Sequence, residues 1–255
     1  MPESPTVPDR SPRLLLISIG IGDPDNMTVR AQRALAGAEV VFCMPGVGQR
    51  IQALLEGKEV HDAGHGLFTP LARRGKTGAE VDAQEAEVRR TLRQAANDGK
   101  TIAVLDYGDP CLYGPQAGYL REFQDLAPTV IPGISSFNAA NAALARPLAT
   151  RQGSNSVILA TARQARPDYD GRDSLARLAE TRPAMAIFTM GIDLPQVVSQ
   201  LSLHYAGDTP VAIVAHAGAP EQQSVRYSTL DSLIHDAEAA PPPFEHLIYI
   251  GDFLR

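Results

Sequence analysis

The sequence predicts an α/β protein with two α/β domains. From Arg13 onward, short apolar runs alternate with amphipathic helical patterns, which is typical of sheets covered by helices on both faces. A length of 255 residues is enough for two hydrophobic cores, each in about half of the chain. We therefore expect a disordered, proline-rich leader at residues 1–12, an N-terminal domain at 13–128 and a C-terminal domain at 129–255.

Eight apolar runs, bounded by turn residues, predict the strands. In chain order they are Leu14–Ile19, Glu39–Phe42, Thr101–Asp106, Pro128–Ile131, Val157–Ala160, Ala184–Thr189, Pro210–Val214 and His246–Ile250. Helical patterns lie between them. One helix carries Ala31 and Leu35 on a single face, and a longer one runs from about Glu80 to Asn97 and ends at Gly99, a common signal for a helix end.

Composition and charge exclude several classes of protein. With 44% hydrophobic and 20% charged residues the chain is globular, and a net charge of −6 argues against nucleic acid as the main partner. No apolar run approaches the roughly 20 residues that a membrane helix needs. Two distant cysteines and six histidines without paired spacing indicate neither a disulfide framework nor a metal site. We expect a cytoplasmic protein without a bound metal.

Three loops rich in glycine, proline and small residues directly follow predicted strands. They are Gly20–Thr28, Asp106–Gly114 and the turn from Ile131 that opens the helix containing Ser135 and Ser136. Loops at the carboxyl ends of strands commonly bind ligands in α/β proteins. The spacing fits neither a dinucleotide fingerprint nor a P-loop. The alternative is structural: tight turns, with Asp or Asn capping the helix after the first loop and a serine capping the helix after the third.

Taken together and in order, these loops resemble the tetrapyrrole methylase family. The resemblance rests on the loop that ends in Asp23-Pro24, on Gly108-Asp109-Pro110, on Pro132-Gly133-Ile134-Ser135-Ser136, and on Pro210–Val214 followed by Ala217–Gln222. It covers about residues 13 to 252. The family consists of methyltransferases that use S-adenosylmethionine, among them enzymes of cobalamin and porphyrin biosynthesis. The resemblance implies two α/β domains with a cofactor cleft between them, unlike the Rossmann methyltransferases, and a homodimer.

The resemblance also implies a set of cofactor-binding residues, carried over by matching position. They are Pro24, Tyr107, Gly108, Asp109, Ser135, Ser136, Met190 and Ala217. On spacing alone, Met190 at the end of a strand is more typical of a core residue.

The chain departs from the family pattern at several places. A second glycine commonly stands where this chain has Tyr107, and Gly-Thr-Leu where it has Ser228-Thr229-Leu230. Many porphyrinogen methylases carry an aspartate in the loop after the second strand, where this chain has Phe42–Gly48. That loop usually faces the substrate, so the departures concern the identity of the methyl acceptor.

No certain catalytic base emerges from the sequence. His65 is the strongest candidate because flanking glycines expose it, and Lys76, Arg73 and Arg74 could pair with acidic side chains of a substrate. The alternative for all four is an ordinary solvated loop. We expect the segments Met44–Gln49 and His65–Lys76 to govern the choice of acceptor rather than cofactor affinity.

The sequence therefore predicts an S-adenosylmethionine-dependent methyltransferase that acts on a tetrapyrrole or precorrin-like small molecule. Two alternatives remain open at this point. One is a methyltransferase of the same fold that acts on a protein or peptide. The other is a cofactor-binding protein without turnover.

Overall fold

A computed structural model describes residues 14–73, 75–149 and 155–255. These residues form two compact units. The first contains residues 14–20 and 24–135, and the second contains residues 21–23 and 136–255. The predicted leader at 1–12 lies outside the described residues.

The first unit is built from five strands and four α-helices within the described ranges. The strands are β1 Leu14–Ser18, β2 Val40–Cys43, β3 Glu59–Asp62, β4 Ile102–Asp106 and β5 Thr129–Ile131. The helices are α1 Val29–Ala36, α2 Pro45–Arg50, α3 Gly78–Asn97 and α4 Gly118–Glu122. Short 3-10 helices cover Pro24–Asn26, Gln52–Leu55, Pro70–Arg73, Pro115–Ala117 and Gln124–Leu126.

All strands of the first sheet are parallel, in the order β3-β2-β4-β1-β5. Alternate residues of each strand enter different cores, because successive side chains of a strand point to opposite faces. On one face Leu14 and Leu16 pack with Leu92 of α3 and Phe123. On the other face the neighbouring residues of β1 pack with Leu35 of α1. The sheet is therefore buried on both sides, as the continuous apolar runs predicted.

The strand β3 forms one edge of this sheet and is largely exposed. Its Glu59 forms an ion pair with Lys100 at 2.8 Å, and Glu59 Oε1 lies within hydrogen-bond distance of His61 Nε2, at 2.9 Å. The Phe42 ring of the adjacent strand stacks on the His61 ring with centroids 5.2 Å apart. Charged side chains thus line the outer strand of the sheet.

The second unit is built from five strands and four α-helices within the described ranges. The strands are β6 Val157–Thr161, β7 Ala184–Phe188, β8 Pro210–Ala215, β9 Ser224–Thr229 and β10 His246–Ile250. The helices are α5 Ser136–Leu144, α6 Leu175–Ala179, α7 Leu194–Leu201 and α8 Leu233–Ala239. Short 3-10 helices cover Ala162–Ala165 and Asp252–Leu254.

The second sheet is mixed, in the order β6-β7-β10-β8-β9. β6 and β7 are parallel, whereas β10 and β9 pair antiparallel to their neighbours. One face is covered by α6, α7 and α8, whose Leu175, Val197 and Leu233 are fully buried. Tyr249 anchors α5, because its hydroxyl donates to Asn141 Oδ1 at 2.8 Å.

All eight predicted strands are present, with ends that differ by at most a residue or two. The strands β3 and β9 were missed by the sequence patterns. Both are edge strands, and β3 has no apolar alternation because its side chains face water. The expected Asp or Asn cap after the first loop is wrong: Thr28 caps α1, and its Oγ1 accepts from Ala31 N at 3.1 Å.

The change from one compact unit to the next falls at Ser135/Ser136, after the boundary that the sequence predicts at residue 128. The physical reason is that β5 pairs with β1 through Leu15, Leu16 and Ile17. The strand is therefore the last element of the first sheet, and the prolines around it mark its ends.

The first core gives a direct test of the fold. Phe123 is fully buried and packs against the rings of Phe68 and Tyr119, with centroids 5.5 and 5.9 Å away. We expect Phe123→Ala to lower the free energy of unfolding by about 3–5 kcal/mol, because it leaves a cavity among aromatic rings. Phe244→Ala is the matched control. Phe244 is 77% exposed, and its loss should change stability by no more than about 0.5 kcal/mol. Urea denaturation of both variants measures the difference, and equal losses would contradict this packing.

Candidate functional site

The candidate site lies at the carboxyl ends of β1 and β4, the two neighbouring strands from which the chain continues towards opposite edges of the first sheet. The chain leaves β1 towards β2 on one side and leaves β4 towards β5 on the other. Ligands of open α/β sheets bind at such a switch point, outside the carboxyl ends of the strands. The loops that follow β1, β4 and β5 are the three loops identified in the sequence.

The hydroxyl of Ser18 joins these three loops. Ser18 is the last residue of β1 and is fully buried. Its Oγ donates to the Gly108 carbonyl at 2.5 Å and accepts from Gly20 N at 3.0 Å. Gly133 approaches so closely that a Cβ at that position would lie 1.9 Å from Ser18 Oγ. Each of the three loops therefore supplies a glycine that contacts this one side chain.

Backbone hydrogen bonds reinforce the junction between the first two loops. Gly108 N donates to Gly20 O at 2.8 Å, and Ile19 N donates to Asp106 O at 2.9 Å. Gly20 and Gly108 have φ of +74° and +83°, a backbone conformation that residues other than glycine rarely adopt. At Gly20 a Cβ would also lie 2.4 Å from the Asn26 carbonyl oxygen. The glycines are thus required by the backbone path itself.

The loop after β4 carries Tyr107 and Asp109, both partly exposed. Arg50, at the end of α2, donates a hydrogen bond to the Tyr107 hydroxyl, and its guanidinium carbon lies 4.6 Å from the centre of the ring. Asp109 Oδ1 accepts from Cys111 N at 2.8 Å, which closes a turn in the loop. The tyrosine that departs from the family pattern is therefore held by the residue that directly follows the segment Met44–Gln49.

The carboxyl of Asp106 is buried beneath this loop. Its Oδ1 accepts from Tyr107 N at 2.8 Å and its Oδ2 accepts from Gln116 N at 3.0 Å. Burial raises the pKa of Asp106 to about 7, although the two backbone N–H groups act in the opposite direction and stabilise the charged form. Asp106 is not among the site residues that the sequence predicts.

His65 is exposed between Gly64 and Gly66, as the sequence predicted. Both glycines have positive φ, +62° and +70°. The loop is nonetheless fixed from below, because Gln116 Nε2 donates to Gly64 O and the Tyr119 hydroxyl donates to Ala63 O, both at 2.8 Å. An exposed imidazole thus stands on an anchored backbone.

Lys76 is exposed and its Nζ donates to Gln84 Oε1 at 2.8 Å. Gln84 in turn donates to Asp62 Oδ2 at 3.2 Å, and Asp62 Oδ1 accepts from Gly64 N at 2.8 Å. A chain of polar groups therefore connects Lys76 with the loop of His65. Arg74 lies outside the described residues.

A cavity of about 560 Å³ adjoins the segment Met44–Gln49. Its lining residues include Cys43, Pro45, Gly48, Gln49, His61 and Asp62. Cys43 is a free thiol, and burial raises its pKa.

Within the described ranges, no group of three His, Cys, Asp or Glu side chains is arranged to hold a metal ion. No described helix has both the length and the apolar character needed to cross a bilayer.

In the second unit, Met190 follows β7 and is 47% exposed, so the alternative of a core residue is wrong. It lies in a turn closed by Ile192 N, which donates to Thr189 O at 2.8 Å. Gly191 has φ of +68° with open space around it. The turn therefore presents Met190 away from the core of the unit.

The second unit also brings together Ala217 and the short segment 21–23. Asp23 N donates to Gly218 O at 2.8 Å, and a Cβ at Gly22 would lie 2.2 Å from the Gly218 carbonyl carbon. Ala217 is buried beside this contact. The glycine at position 22 is thus needed for close backbone packing.

Three further residues of the predicted cofactor set have these positions. Pro24 is exposed and begins a 3-10 helix in the first unit. Ser135 is 2% exposed and ends that unit, whereas Ser136 is the first residue of α5. Contact of the whole set with a cofactor remains a prediction.

Comparison with known proteins identifies the family. The family model for tetrapyrrole (corrin/porphyrin) methylases matches residues 13–234. A precorrin-4 C(11)-methyltransferase of Pseudomonas aeruginosa is 32% identical over 93% of this chain and 89% of its own length.

Solved structures share the fold. A cobalt precorrin-4 methyltransferase of cobalamin biosynthesis aligns with a TM-score of 0.74 at 23% identity, over 98% of this chain and 99% of the other. A uroporphyrin-III C-methyltransferase from Thermus thermophilus, complexed with S-adenosylhomocysteine, aligns with a TM-score of 0.66 at 23% identity. That alignment covers 95% of this chain and 93% of the other. The predicted fold class and the resemblance are both confirmed: this chain belongs to the tetrapyrrole (corrin/porphyrin) methylase family.

Proposed function

We propose that this protein transfers a methyl group from S-adenosylmethionine to a ring carbon of a precorrin-4-like reduced tetrapyrrole. The observation that carries the proposal is the junction of three glycine loops on Ser18 at the switch point of the first sheet. Family membership supports the reaction class. The 32% identical relative, a precorrin-4 C(11)-methyltransferase, supports the acceptor.

The groups around the loop after β4 fit a nucleoside with a positive charge. Tyr107 and Asp109 are both partly exposed, and they carry a phenolic hydroxyl and a carboxylate. Carboxylates accept hydrogen bonds from ribose hydroxyl and ammonium groups, and they attract a sulfonium. When bound, S-adenosylmethionine supplies an electrophilic methyl group on sulfur.

The chain's own residues contribute position rather than proton transfer. Attack by an electron-rich pyrrole carbon would form a carbon–carbon bond while the carbon–sulfur bond breaks, with S-adenosylhomocysteine as the leaving group and loss of a proton from the methylated ring. Such a displacement needs the three atoms held in line, which can supply a large part of the rate acceleration. The rigid glycine junction at Gly20, Gly108 and Gly133 provides a fixed backbone for this purpose.

The acceptor side of the proposal rests on two features of the first unit. The cavity of about 560 Å³ beside Met44–Gln49 is large enough for part of a tetrapyrrole. Arg50 directly follows the segment Met44–Gln49 and Lys76 ends the segment His65–Lys76, and both are cations. They match the acidic side chains that reduced tetrapyrroles carry.

A binding experiment tests the cofactor. We expect S-adenosylmethionine and S-adenosylhomocysteine each to bind with micromolar affinity in titration calorimetry, and Gly108→Val to abolish binding. Gly108 has φ of +83°, so a branched side chain strains the loop and fills the adjacent space. Gly99→Val is the control, because Gly99 has φ of +75° with open space at the end of α3. The absence of heat with both ligands in the unmodified protein would refute the proposed function.

A second experiment tests the acceptor segments. We expect His65→Ala and Lys76→Ala each to lower kcat/KM for precorrin-4 by about tenfold, or about 1.4 kcal/mol. Affinity for S-adenosylmethionine should stay within about threefold, because neither side chain belongs to the predicted cofactor set. His204→Ala, which also removes an exposed histidine, should leave both values unchanged. A large loss of affinity for S-adenosylmethionine in His65→Ala or Lys76→Ala would mean that this loop binds the cofactor and not the acceptor.

The oligomeric state and the compartment stay proposals. We expect a homodimer, as the family resemblance implies, and light scattering should give twice the monomer mass of 27.3 kDa at micromolar concentration. A monomer mass under those conditions would contradict it. A cytoplasmic location is supported by two free thiols, Cys43 and Cys111, which a reducing compartment maintains.

A further inference from the structure

The loop from Tyr107 to Pro115 is fastened at both ends to one carboxyl group. Asp106 is fully buried, and its two oxygens accept from the backbone N–H groups of Tyr107 and Gln116, at 2.8 and 3.0 Å. Gly114 packs over the same group, because a Cβ there would lie 2.5 Å from Asp106 Oδ2. The ionised carboxylate therefore sets the path of the loop that carries Gly108 and Asp109.

Gln116 extends this arrangement to the histidine loop. Its side chain is fully buried, and Nε2 donates to Gly64 O at 2.8 Å, next to His65. Its Oε1 is buried and has no hydrogen-bond partner within the described part of the chain. An unsatisfied buried oxygen costs stability, so a less polar side chain would be favoured here if stability alone mattered.

We propose that Asp106 and Gln116 are a positioning pair for methyl transfer. Asp106 shapes the loop Tyr107–Pro115 for the cofactor, and Gln116 fixes the histidine loop relative to it, so that the acceptor and the cofactor are held in register. This proposal rests on the proposed function and names the two residues that position its ligands.

Protonation of Asp106 gives the pair a measurable signature. The neutral carboxyl is a hydrogen-bond donor at one oxygen, and that oxygen then faces a backbone N–H. Since burial raises the pKa to about 7, the ionised form, which accepts from both N–H groups, predominates only above that pH. Asp109, whose charge raises the pKa further, and the Cys111 thiol are the titratable groups that interact with it electrostatically.

Ionisation of Asp106 has the opposite effect on the stability of the folded protein. The pKa in the folded protein lies above the ordinary value of 3.8. The neutral form is therefore favoured by folding, and its contribution to stability is complete below pH 3.8 and is lost as the pH rises through about 7. Ionisation of Asp106 thus orders the loop but lowers the free energy of unfolding.

The test measures S-adenosylmethionine affinity of the full chain by calorimetry between pH 6 and 8. If only the ionised form is competent to bind, affinity should rise about tenfold over this range. The affinity of Asp106→Asn should not show this tenfold rise. At pH 8 it should be weaker than that of the unmodified protein, because the NH₂ group of the asparagine faces one of the backbone N–H groups. Comparison of the two proteins removes any titration of the ligand itself.

Gln116→Met tests the second half of the pair. It removes the donor to Gly64 while keeping a long side chain, so cofactor affinity should stay within about threefold and kcat/KM for precorrin-4 should fall at least about fivefold. Asp98→Asn and Gln94→Met are matched controls. They make the same replacements in a surface pair, where Gln94 Nε2 donates to Asp98 Oδ1 at 2.9 Å.

Three outcomes overturn the positioning pair while the proposed function stands. One is a change of less than twofold in the affinity of the unmodified protein across the pH range. Another is the same pH dependence in Asp106→Asn as in the unmodified protein. The third is an unchanged kcat/KM in Gln116→Met. If the unmodified protein binds no S-adenosylmethionine at any pH, the proposed function itself fails.

Discussion

The hydroxyl of Ser18 is the constraint on which the candidate site depends. A strand that is buried on both faces normally ends in apolar residues, because a buried polar group needs a partner. Here the hydroxyl donates to the carbonyl of Gly108 and accepts from the N–H of Gly20. Gly133 leaves no room for a larger group beside it. A small side chain with both hydrogen-bonding roles is what lets three backbone segments meet at one point.

Burial of polar groups continues outward from this point. Asp106 lies opposite Ser18 on the neighbouring strand, and its carboxyl accepts from Gln116 N; all three side chains are fully buried. Ser18 and Asp106 bond backbone groups of the loop after β4, and Gln116 bonds the loop of His65. Side chains from the core, and not from the surface, therefore fix these loops. Such a network is costly to desolvate, and it holds together only because nearly every member is satisfied. The arrangement concentrates rigidity at the end of the sheet where chemistry is expected.

Much of the fold follows from the sequence because its cause is local. Continuous apolar runs identified the buried strands, and Gly99 marked the end of α3. The edge strands β3 and β9 were missed because neither contains a fully buried residue, so neither forms a continuous apolar run. At the site, loop order pointed to Gly108, but the roles of Ser18 and Gln116 depend on contacts across 90 and 52 positions of the chain. The one local signal for Ser18 was a single hydroxyl inside the apolar run Leu14–Ile21.

The charged edge of the first sheet has a consequence for association. An open strand can recruit a strand from another molecule through its unpaired backbone groups. At β3 the approach of such a strand would have to displace water from Glu59 and from His61 and Lys100, both of which contact Glu59. Charged side chains at this edge therefore disfavour growth of the sheet into fibrous assemblies.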